Sequence, residues 1–231
     1  MTKQIDYRPL IRRMVEIDYR YKHRHLPGSL SAIRIIADIY SAMDLEHDVF
    51  ILSKGHSCAA LYAVLESYGM KPDVTLVHPE RDLANGIQIT AGSLGHGLPI
   101  GVGMAWAMKL RQEPGLVHVL LGDGECQEGT TWEALHLAAR LRLQGKLIVH
   151  LDHNGYQGSD ALVFDGTEAM KVIYPIQDHH TRKGAGIKMF EDNPVKSVHL
   201  VTDADYKAIL KELEDELPDR MEDKVAAEAK P

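Results

Sequence analysis

Cysteine and positive charge are both scarce in this sequence of 231 residues. The two cysteines, Cys58 and Cys126, stand far apart and in no metal-ligand spacing. This pattern excludes a disulfide framework and indicates a reducing compartment, so we expect a cytoplasmic protein. The 26 Lys and Arg residues are outnumbered by 33 Asp and Glu residues, which leaves a net charge of -7. A mildly acidic chain is a poor partner for nucleic acid.

Long uninterrupted hydrophobic runs are also missing. The N-terminal segment has no apolar core followed by a small-residue cleavage site, so we expect no secretory signal. The longest weakly polar stretch, Ile87 to Met108, is broken repeatedly by glycine, which suits close packing around a ligand better than a membrane span. What is abundant is histidine, with 13 residues, and glycine, with 19. Disorder is excluded for most of the chain, because 45% of its residues are hydrophobic.

Apolar periodicity predicts two helices before any strand. The first is indicated by apolar residues from Leu10 to Tyr19 at three- and four-residue steps. A turn at His25 to Ser29 leads to a second helix from about Ser31 to Met43, with Ser29 or Ser31 as its cap.

The middle of the chain alternates between strand and helix patterns. Apolar runs of strand type lie at Val49 to Leu52, Val117 to Leu121 and Lys146 to Leu151. Helices are expected at Ala59 to Tyr68 and around Trp132 to Ala139. Strand, helix and strand at this spacing predict a parallel crossover. We therefore expect an α/β fold with a doubly wound, mainly parallel sheet and helices on both faces.

The C-terminal third is harder to interpret. Residues from Asp160 to Asn193 predict mostly loop, because glycine and proline are scattered among polar residues. Asp203 can cap a last helix from Tyr206 to Leu217. No linker divides the chain, so we expect a single domain over residues 1–217, followed by a flexible charged tail at residues 218–231.

Two strand ends predict a metal site. Gly122-Asp123-Gly124 ends one parallel strand and Asn154 ends the next, so both side chains should emerge at the carboxyl edge of the sheet, where such sheets bind ligands. A carboxylate and an amide oxygen suit Mg²⁺ or Ca²⁺, and the two glycines let the backbone approach a diphosphate. The alternative is an ordinary turn in which the aspartate is only a helix cap.

With further motifs, these residues resemble the transketolase branch of the thiamine-diphosphate-dependent enzymes. The motif Gly-Asp-Gly followed by Asn is similar to the family's thiamine diphosphate motif. Further segments with a transketolase-like pattern are Phe50 to His56, His78 to Glu80, Thr90 to Leu98 continued by Val102 to Ala105, Glu128-Gly129 with Trp132 to Ala134, Thr181 to Gly186, and His199. The resemblance extends from about residue 10 to residue 200.

The resemblance implies thiamine diphosphate as cofactor, held through Mg²⁺, for which Ca²⁺ or Mn²⁺ could substitute. Asp123 and Asn154 are implied as side-chain ligands of the metal, with the backbone oxygen of Tyr156 as a third. The cofactor-binding residues implied are His56, Ser93, Leu94, Gly95, His96, Gly122, Asp123, Gly124, Glu125, Asn154 and Tyr156. His96 stands where the family usually has glutamine.

The implied activity is transfer of a two-carbon ketol unit from a ketose to an aldehyde. The hydroxyls of such substrates need groups that donate and accept hydrogen bonds near neutral pH, which imidazoles provide. By position in the family pattern, the catalytic candidates are His25, His56, His78 and His199. The segment around His25 departs from the family's usual His-Pro-Gly-Gly-Ser.

The chain resembles only the first half of a transketolase, because nothing after Ala185 has the pattern of a second domain. The resemblance implies a separately encoded C-terminal subunit that supplies the pyrimidine-binding domain and the activating glutamate, in a heterotetramer. Small sugars or sugar phosphates are the implied substrates. The segments from Gly69 to His78 and from Asn154 to Thr181 are shorter than in the family, which predicts a somewhat reduced sheet and a specialised pathway.

Two alternatives stay open at this point. One is the diphosphate-binding subunit of a 2-oxo acid dehydrogenase or decarboxylase, against which the Ser53 to His56 and Thr181 to Gly186 segments favour the transketolase side. The other is a non-catalytic relative that acts as a binding or scaffold protein. The presence of Asp123, Asn154 and the four candidate histidines argues against it.

Overall fold

A parallel sheet forms the centre of the molecule. The computed structural model describes residues 5–191 and 199–215, so the predicted tail at residues 218–231 lies outside the described residues. The strands are β1 (Val49–Leu52), β2 (Val117–Gly122), β3 (Leu147–His153), β4 (Tyr156–Gln157), β5 (Asp160–Ala161) and β6 (Ile176–His180). Within these ranges β1, β2, β3 and β6 form a parallel sheet in that order, and β4 pairs with β5 as a short antiparallel hairpin.

Helices cover both faces of this sheet, which confirms the predicted α/β class. They are α1 (Arg8–Tyr21), α2 (Leu26–Ala42), α3 (Cys58–Ser67), α4 (Gly97–Arg111), α5 (Gly129–Arg140), α6 (Thr167–Ile173) and α7 (Asp203–Asp215), with short 3₁₀ helices at Gly55–Ser57, Leu83–Asn85 and Asp123–Gln127. Helices α1, α2 and α3 pack together on one face, and α4 and α5 pack on the other. Among the described helices, none is long and apolar enough to cross a membrane.

The hydrophobic core consists of two clusters, one on each face of the sheet, because successive side chains of a strand alternate between the faces. In β1, Phe50 and Leu52 pack with α1, α2 and α3, whereas Ile51 packs with α4. In β2, Leu120 joins the first cluster, and Leu121 joins the second. Successive side chains of a strand point to opposite faces, so a central strand that is buried on both sides needs a continuous apolar run. Each such buried side chain contributes roughly 1.5–3 kcal/mol to stability.

Helix α4 contains Val102 to Ala105, the segment that continues the glycine-rich motif in the sequence. A methyl group on Gly101 would lie 2.5 Å from Cγ2 of Val119 in β2. Glycine here lets a helix approach the sheet closely, and it does not mark a turn.

Helix α2 begins at Leu26, earlier than predicted, because Pro27 in the first turn is compatible with a helix. Neither predicted cap lies at the helix start. Ser31 lies inside the helix, where its hydroxyl donates to the carbonyl of Gly28 at 3.1 Å and to the carboxylate of Asp152 at 2.6 Å. This serine therefore connects α2 to the end of β3.

The region expected to be mostly loop contains β5, α6 and β6. The prediction missed β6 because this edge strand carries polar side chains where an apolar run was expected. Helix α7 also starts earlier than predicted, at Asp203. Thr202 precedes it, and the Thr202 hydroxyl accepts a hydrogen bond from the amide of Asp205 at 3.2 Å, so the threonine is the cap.

A row of histidines crosses the sheet. Nδ1 of His118 in β2 lies 3.1 Å from Nε2 of His150 in β3, and Nδ1 of His150 lies 3.1 Å from Nε2 of His179 in β6. Burial lowers the pKa of all three, and burial together with the neighbouring imidazoles His179 and His118 lowers the pKa of His150 to about 3. These imidazoles are therefore neutral in the folded protein at pH 7.

This row should make the protein less stable in acid. Unfolded, His150 titrates near its ordinary value of about 6.5, so below that pH the unfolded chain binds more protons than the folded one. The stability due to neutral His150 is complete above pH 6.5 and is lost as the pH falls toward 3. We expect the drop in unfolding free energy between pH 7 and pH 5 to be smaller by about 2 kcal/mol in His150→Leu than in the unmodified protein.

Urea unfolding at both pH values measures this difference. The control is His136→Leu, which removes an exposed histidine of α5 outside the row. Equal pH dependence in the His150 variant and the unmodified protein would contradict the prediction.

Candidate functional site

A cavity of about 220 Å³ opens at the carboxyl edge of the parallel sheet. Residues that follow each of the four parallel strands contribute to its wall. Its lining consists of His25, Gly28, Lys54, His56, His78, Leu94, Gly122, Asp123, Gly124, Glu125, Asn154, Tyr156, Gln157, Gly158 and Lys183. Open α/β sheets bind their ligands at this edge, so this cavity is the candidate site.

The structure brings the two predicted metal ligands to one place. Oδ2 of Asp123 accepts hydrogen bonds from the backbone amides of Asn154 at 2.9 Å and Gly155 at 2.6 Å. Oδ1 of Asn154 accepts a bond from the amide of Tyr156 at 3.2 Å. These contacts fold the segment after β3 around the carboxylate that follows β2. Both side chains and Tyr156 line the cavity.

The electrostatics around Asp123 fit a bound cation. Burial raises the pKa of this carboxyl group, and the nearby Asp152 raises it further, whereas Lys54 and the amides of Gly155 and Asn154 lower it. A divalent ion would compensate the buried negative charge. Carboxylate and amide oxygens are the ligands that Mg²⁺ accepts, with phosphate oxygens and water completing its shell. The donor set therefore fits a magnesium ion that carries a diphosphate.

Two lysines of this cavity were missed by the sequence-based site prediction. Lys54 follows β1, and its ammonium binds the carboxylate of Asp152. Lys183 follows β6, and its ammonium donates to the carbonyl of Gly158 at 2.5 Å. Burial, together with the positive charge of Lys54, lowers the pKa of Lys183 to about 8. Both lysines lie inside motifs that the sequence analysis had already singled out. Their position shortly after a strand, at the edge of the sheet that binds ligands, is the signal that could have identified them as site residues.

Glu125 was predicted to bind the cofactor, but its carboxylate is engaged by the protein. Oε1 accepts hydrogen bonds from the hydroxyl of Ser53 at 2.5 Å and the amide of Gly95 at 2.9 Å, and Oε2 accepts one from the amide of Gly122 at 2.9 Å. Burial raises the pKa of Glu125. These contacts join three segments around the cavity. Glu125 also belongs to the cavity lining, and its direct contact with the cofactor stays a prediction.

The glycine-rich loop before α4 contributes less of the cavity wall than predicted. Of the four loop residues in the prediction, Leu94 lines the cavity, whereas Ser93, Gly95 and His96 lie outside its described lining. The amide of Gly95 is donated to Glu125, and the side chains of Ser93 and His96 are exposed. Direct contact of these three residues with the cofactor stays a prediction.

Three of the four candidate catalytic histidines cluster at the cavity. The ring of His25 lies 5.5 Å from that of His56 and 6.4 Å from that of His78, measured between centroids. Burial and the positive charge of Lys54 hold the pKa of His56 well below 6.5, and burial with His78 lowers the pKa of His25. His25 and His56 are therefore neutral at pH 7, and each has one donor and one acceptor nitrogen.

The fourth candidate, His199, lies outside the described lining of the cavity. Its Nε2 atom is 2.9 Å from Oδ2 of Asp205, and its backbone amide donates to the carbonyl of Arg24 at 3.1 Å. The histidine lowers the pKa of Asp205 to about 2. His199 thus supports the segment that carries His25, and its catalytic role stays a prediction.

The fold and the site place the chain among α/β domains that bind ligands at the carboxyl edge of a parallel sheet. Residues 40–180 match the protein family described as the transketolase, thiamine diphosphate binding domain. The chain therefore belongs to this family.

Its relatives include proteins named as transketolase subunits. An apulose-4-phosphate transketolase subunit of Phocaeicola vulgatus is 33% identical over 193 residues, which cover 75% of this chain and 66% of that protein. The protein of the same name from Actinobacillus succinogenes is 27% identical over 83% of this chain and 88% of its own length. The 6-deoxy-6-sulfo-D-fructose transketolase subunit SqwG of a Clostridium species is 35% identical over 67% of this chain and 61% of its own length.

A solved structure agrees with the fold. Transketolase from Leishmania mexicana is similar with a TM-score of 0.63 over 93% of this chain and 45% of that chain, at 19% identity. The chain thus spans about two thirds of the Phocaeicola relative and less than half of the solved transketolase.

Proposed function

We propose that this chain is the diphosphate- and Mg²⁺-binding subunit of a two-component transketolase. The enzyme would transfer a two-carbon ketol unit from a ketose to an aldehyde. The observation that carries the proposal is the meeting of Asp123 and Asn154 at one cavity, together with two lysines and three histidines. Membership of the transketolase family supports this chemistry over that of 2-oxo acid decarboxylation.

In this proposal, Asp123, Asn154 and the backbone oxygen of Tyr156 hold the metal ion, for which Ca²⁺ or Mn²⁺ could substitute. Lys54 and Lys183 contribute positive charge to the cavity wall, which would attract the diphosphate. Gly122 and Gly124 have no side chains, so the backbone can approach the phosphates. Thiamine diphosphate, when bound, supplies the nucleophilic carbon and the electron sink needed to cleave a bond beside a carbonyl.

The histidines would bind the substrate and move protons. A neutral imidazole can donate to one hydroxyl and accept from another, and its two roles exchange when the tautomer changes. His25, His56 and His78 are close enough together to contact neighbouring hydroxyls of one small sugar or sugar phosphate. The names of the relatives support a specialised sugar pathway over the central one.

A separately encoded partner completes the proposed enzyme. Three of the relatives are named as single subunits of a transketolase, which supports a second subunit that supplies the pyrimidine-binding domain and the activating glutamate. We propose a heterotetramer with two copies of each subunit, in which residues 1–217 act as a single domain.

The isolated chain should bind thiamine diphosphate weakly and turn over no substrate. The partner for this test is the chain that co-purifies with it or the product of the neighbouring reading frame. Addition of this partner is expected to tighten binding at least about tenfold, which corresponds to 1.4 kcal/mol or more, because the partner encloses the other end of the cofactor. Calorimetry with Mg²⁺ measures the binding, and a coupled assay measures ketol transfer.

The same mixture discriminates the alternatives. Decarboxylation of a 2-oxo acid without ketol transfer would assign the chain to the dehydrogenase class. If the mixture shows neither activity, a non-catalytic scaffold role would be favoured. If mixing changes neither binding nor turnover, the two-component proposal is refuted.

A further inference from the structure

A second group of potential metal ligands lies at the edge of the sheet. His153 is the last residue of β3, and Asp178 and His180 belong to β6. The parallel register places His153 opposite His180, and Leu151 opposite Asp178. Because alternate residues of a strand share a face, all three side chains lie on the same side of the sheet. One ligand atom from each lies within 4.8 Å of the others.

Two of the separations are close to those of a metal site. Nδ1 of His153 is 3.2 Å from Oδ1 of Asp178, and Nε2 of His180 is 3.2 Å from Oδ2 of the same carboxylate. In a tetrahedral zinc site with bonds of about 2.0–2.1 Å, neighbouring ligand atoms are about 3.3 Å apart. Both imidazoles thus face one carboxylate at distances that a hydrogen bond or a shared ion would give, and the three ligand atoms lie within 4.8 Å of one another.

A further carboxylate orients His153. Oδ2 of Asp165 lies 3.3 Å from Nε2 of His153, the ring nitrogen on the other side from Asp178. When Nε2 donates its proton to Asp165, the lone pair of Nδ1 points toward Asp178. Histidine ligands of metals typically donate their other N–H to a carboxylate in this way, which fixes the tautomer.

Lys171 now holds the place that a cation would take. Its ammonium lies 2.7 Å from Oδ2 of Asp178 and 2.7 Å from Oε1 of Glu168. The lysine belongs to α6, and its side chain is 31% exposed. Its ammonium can therefore keep the ion pair with Glu168 when its ion pair with Asp178 breaks. Lysine and metal therefore compete for one carboxylate.

We propose that His153, Asp178 and His180 form a second divalent-cation site, separate from the site at Asp123 and Asn154. Two imidazoles and one carboxylate favour Zn²⁺ over Mg²⁺, which prefers oxygen ligands. His180 is 53% exposed, so a fourth coordination position is open to water. Since His153 directly precedes Asn154, an ion here would tie β3 to β6 beside the proposed cofactor site.

Titration of the metal-free, untagged full chain with Co²⁺ and Zn²⁺ tests the site. Co²⁺ absorbs visible light strongly in a tetrahedral N/O environment, and calorimetry gives the Zn²⁺ affinity. We expect one ion per chain, and at least about 100-fold weaker binding in His153→Gln and His180→Gln. Asp165→Asn should weaken binding by about 10–100-fold, and Lys171→Met should strengthen it.

Matched controls separate this site from adventitious binding and from the cofactor site. His179→Gln removes the neighbouring histidine on the other face of β6, and Asp123→Asn alters the proposed magnesium site; both should bind Zn²⁺ as the unmodified chain does. The proposal is overturned if His179→Gln and His180→Gln reduce Co²⁺ binding equally, if Asp123→Asn abolishes it, or if the unmodified chain does not bind the ion. Thermal unfolding of the metal-free variants verifies that each is folded.

Discussion

Replacement of Asp123 by alanine is expected to abolish Mg²⁺-dependent binding of thiamine diphosphate by the complete two-subunit complex. The change removes the only carboxylate of the proposed metal ligand set. It also removes the oxygen that accepts hydrogen bonds from the amides of Asn154 and Gly155, so the second ligand loses its support. We expect a loss of at least about a thousandfold in cofactor affinity, or about 4 kcal/mol, with a similar loss of ketol transfer.

Calorimetry with Mg²⁺ and cofactor, and the ketol-transfer assay, measure these two effects. The matched control is Asp160→Ala, because Asp160 is an exposed aspartate of the nearby hairpin and lies outside the described lining of the cavity. Unchanged cofactor binding in the Asp123 variant would remove the metal assignment.

Replacement of Lys54 by methionine is expected to destabilise the protein by about 3–5 kcal/mol, because it leaves a buried carboxylate without its cation. The Lys54 and Asp152 side chains are 1% and 0% exposed. Asp152 also accepts a hydrogen bond from Ser31 at 2.6 Å and one from Thr181. Its negative charge would therefore remain buried with only neutral donors. Urea unfolding of the isolated chain measures the loss.

A second variant separates charge from packing. Asp152→Asn removes the negative charge and keeps one oxygen, which can accept a hydrogen bond from one of the two hydroxyls, Ser31 or Thr181, while its amide group donates to the other. In the double variant, Lys54→Met with Asp152→Asn, we expect at least half of the lost stability to return, since no unpaired charge remains. If the losses of stability in the two single variants simply add in the double variant, the broken ion pair is not the cause of the destabilisation by Lys54→Met. Cofactor binding should stay weak in the double variant, because Lys54 also lines the cavity.

The centre of the fold could be predicted because it follows from simple patterns. Strands buried on both faces need mainly apolar runs, and β1, β2 and β3 have them, interrupted only by His118 in β2 and by polar residues at the end of β3 from His150 onward. The order of strand, helix and strand then requires a parallel crossover, which brings Asp123 and Asn154 to one edge. The positions of these two residues depend on the geometry of the backbone, so the local sequence was sufficient to predict that they meet.

The edge of the sheet and the glycine-rich helix could not be predicted in the same way. β6 is a partly buried edge strand with mostly polar side chains, so its sequence has no apolar strand pattern, and its pairing with β3 defines it. In α4, glycine serves close packing against β2, whereas in a local pattern glycine indicates a loop. In both cases the deciding interaction is with a distant segment of the chain.

The candidate histidines also show that sequence patterns do not predict contacts between distant segments. His25, His56 and His78 come from three separate segments of the chain, and they line one cavity; their catalytic roles stay a prediction. His199 belongs to the same motif set, but its ring pairs with Asp205 and its amide donates to the carbonyl of Arg24, next to His25. Lys54 and Lys183 were missed because the prediction treated them as parts of motifs and assigned them no charge role.

The central claim is that Asp123 and Asn154 hold one divalent ion that carries the diphosphate. Crystals of the complete complex with Mn²⁺ and thiamine diphosphate test it directly, because the anomalous scattering of Mn²⁺ locates the ion independently of the protein density. We expect a single strong peak at this site, about 2.0–2.4 Å from an oxygen of each side chain and in contact with the diphosphate. A peak bound to other residues, or a diphosphate held without an ion between these two side chains, would contradict it.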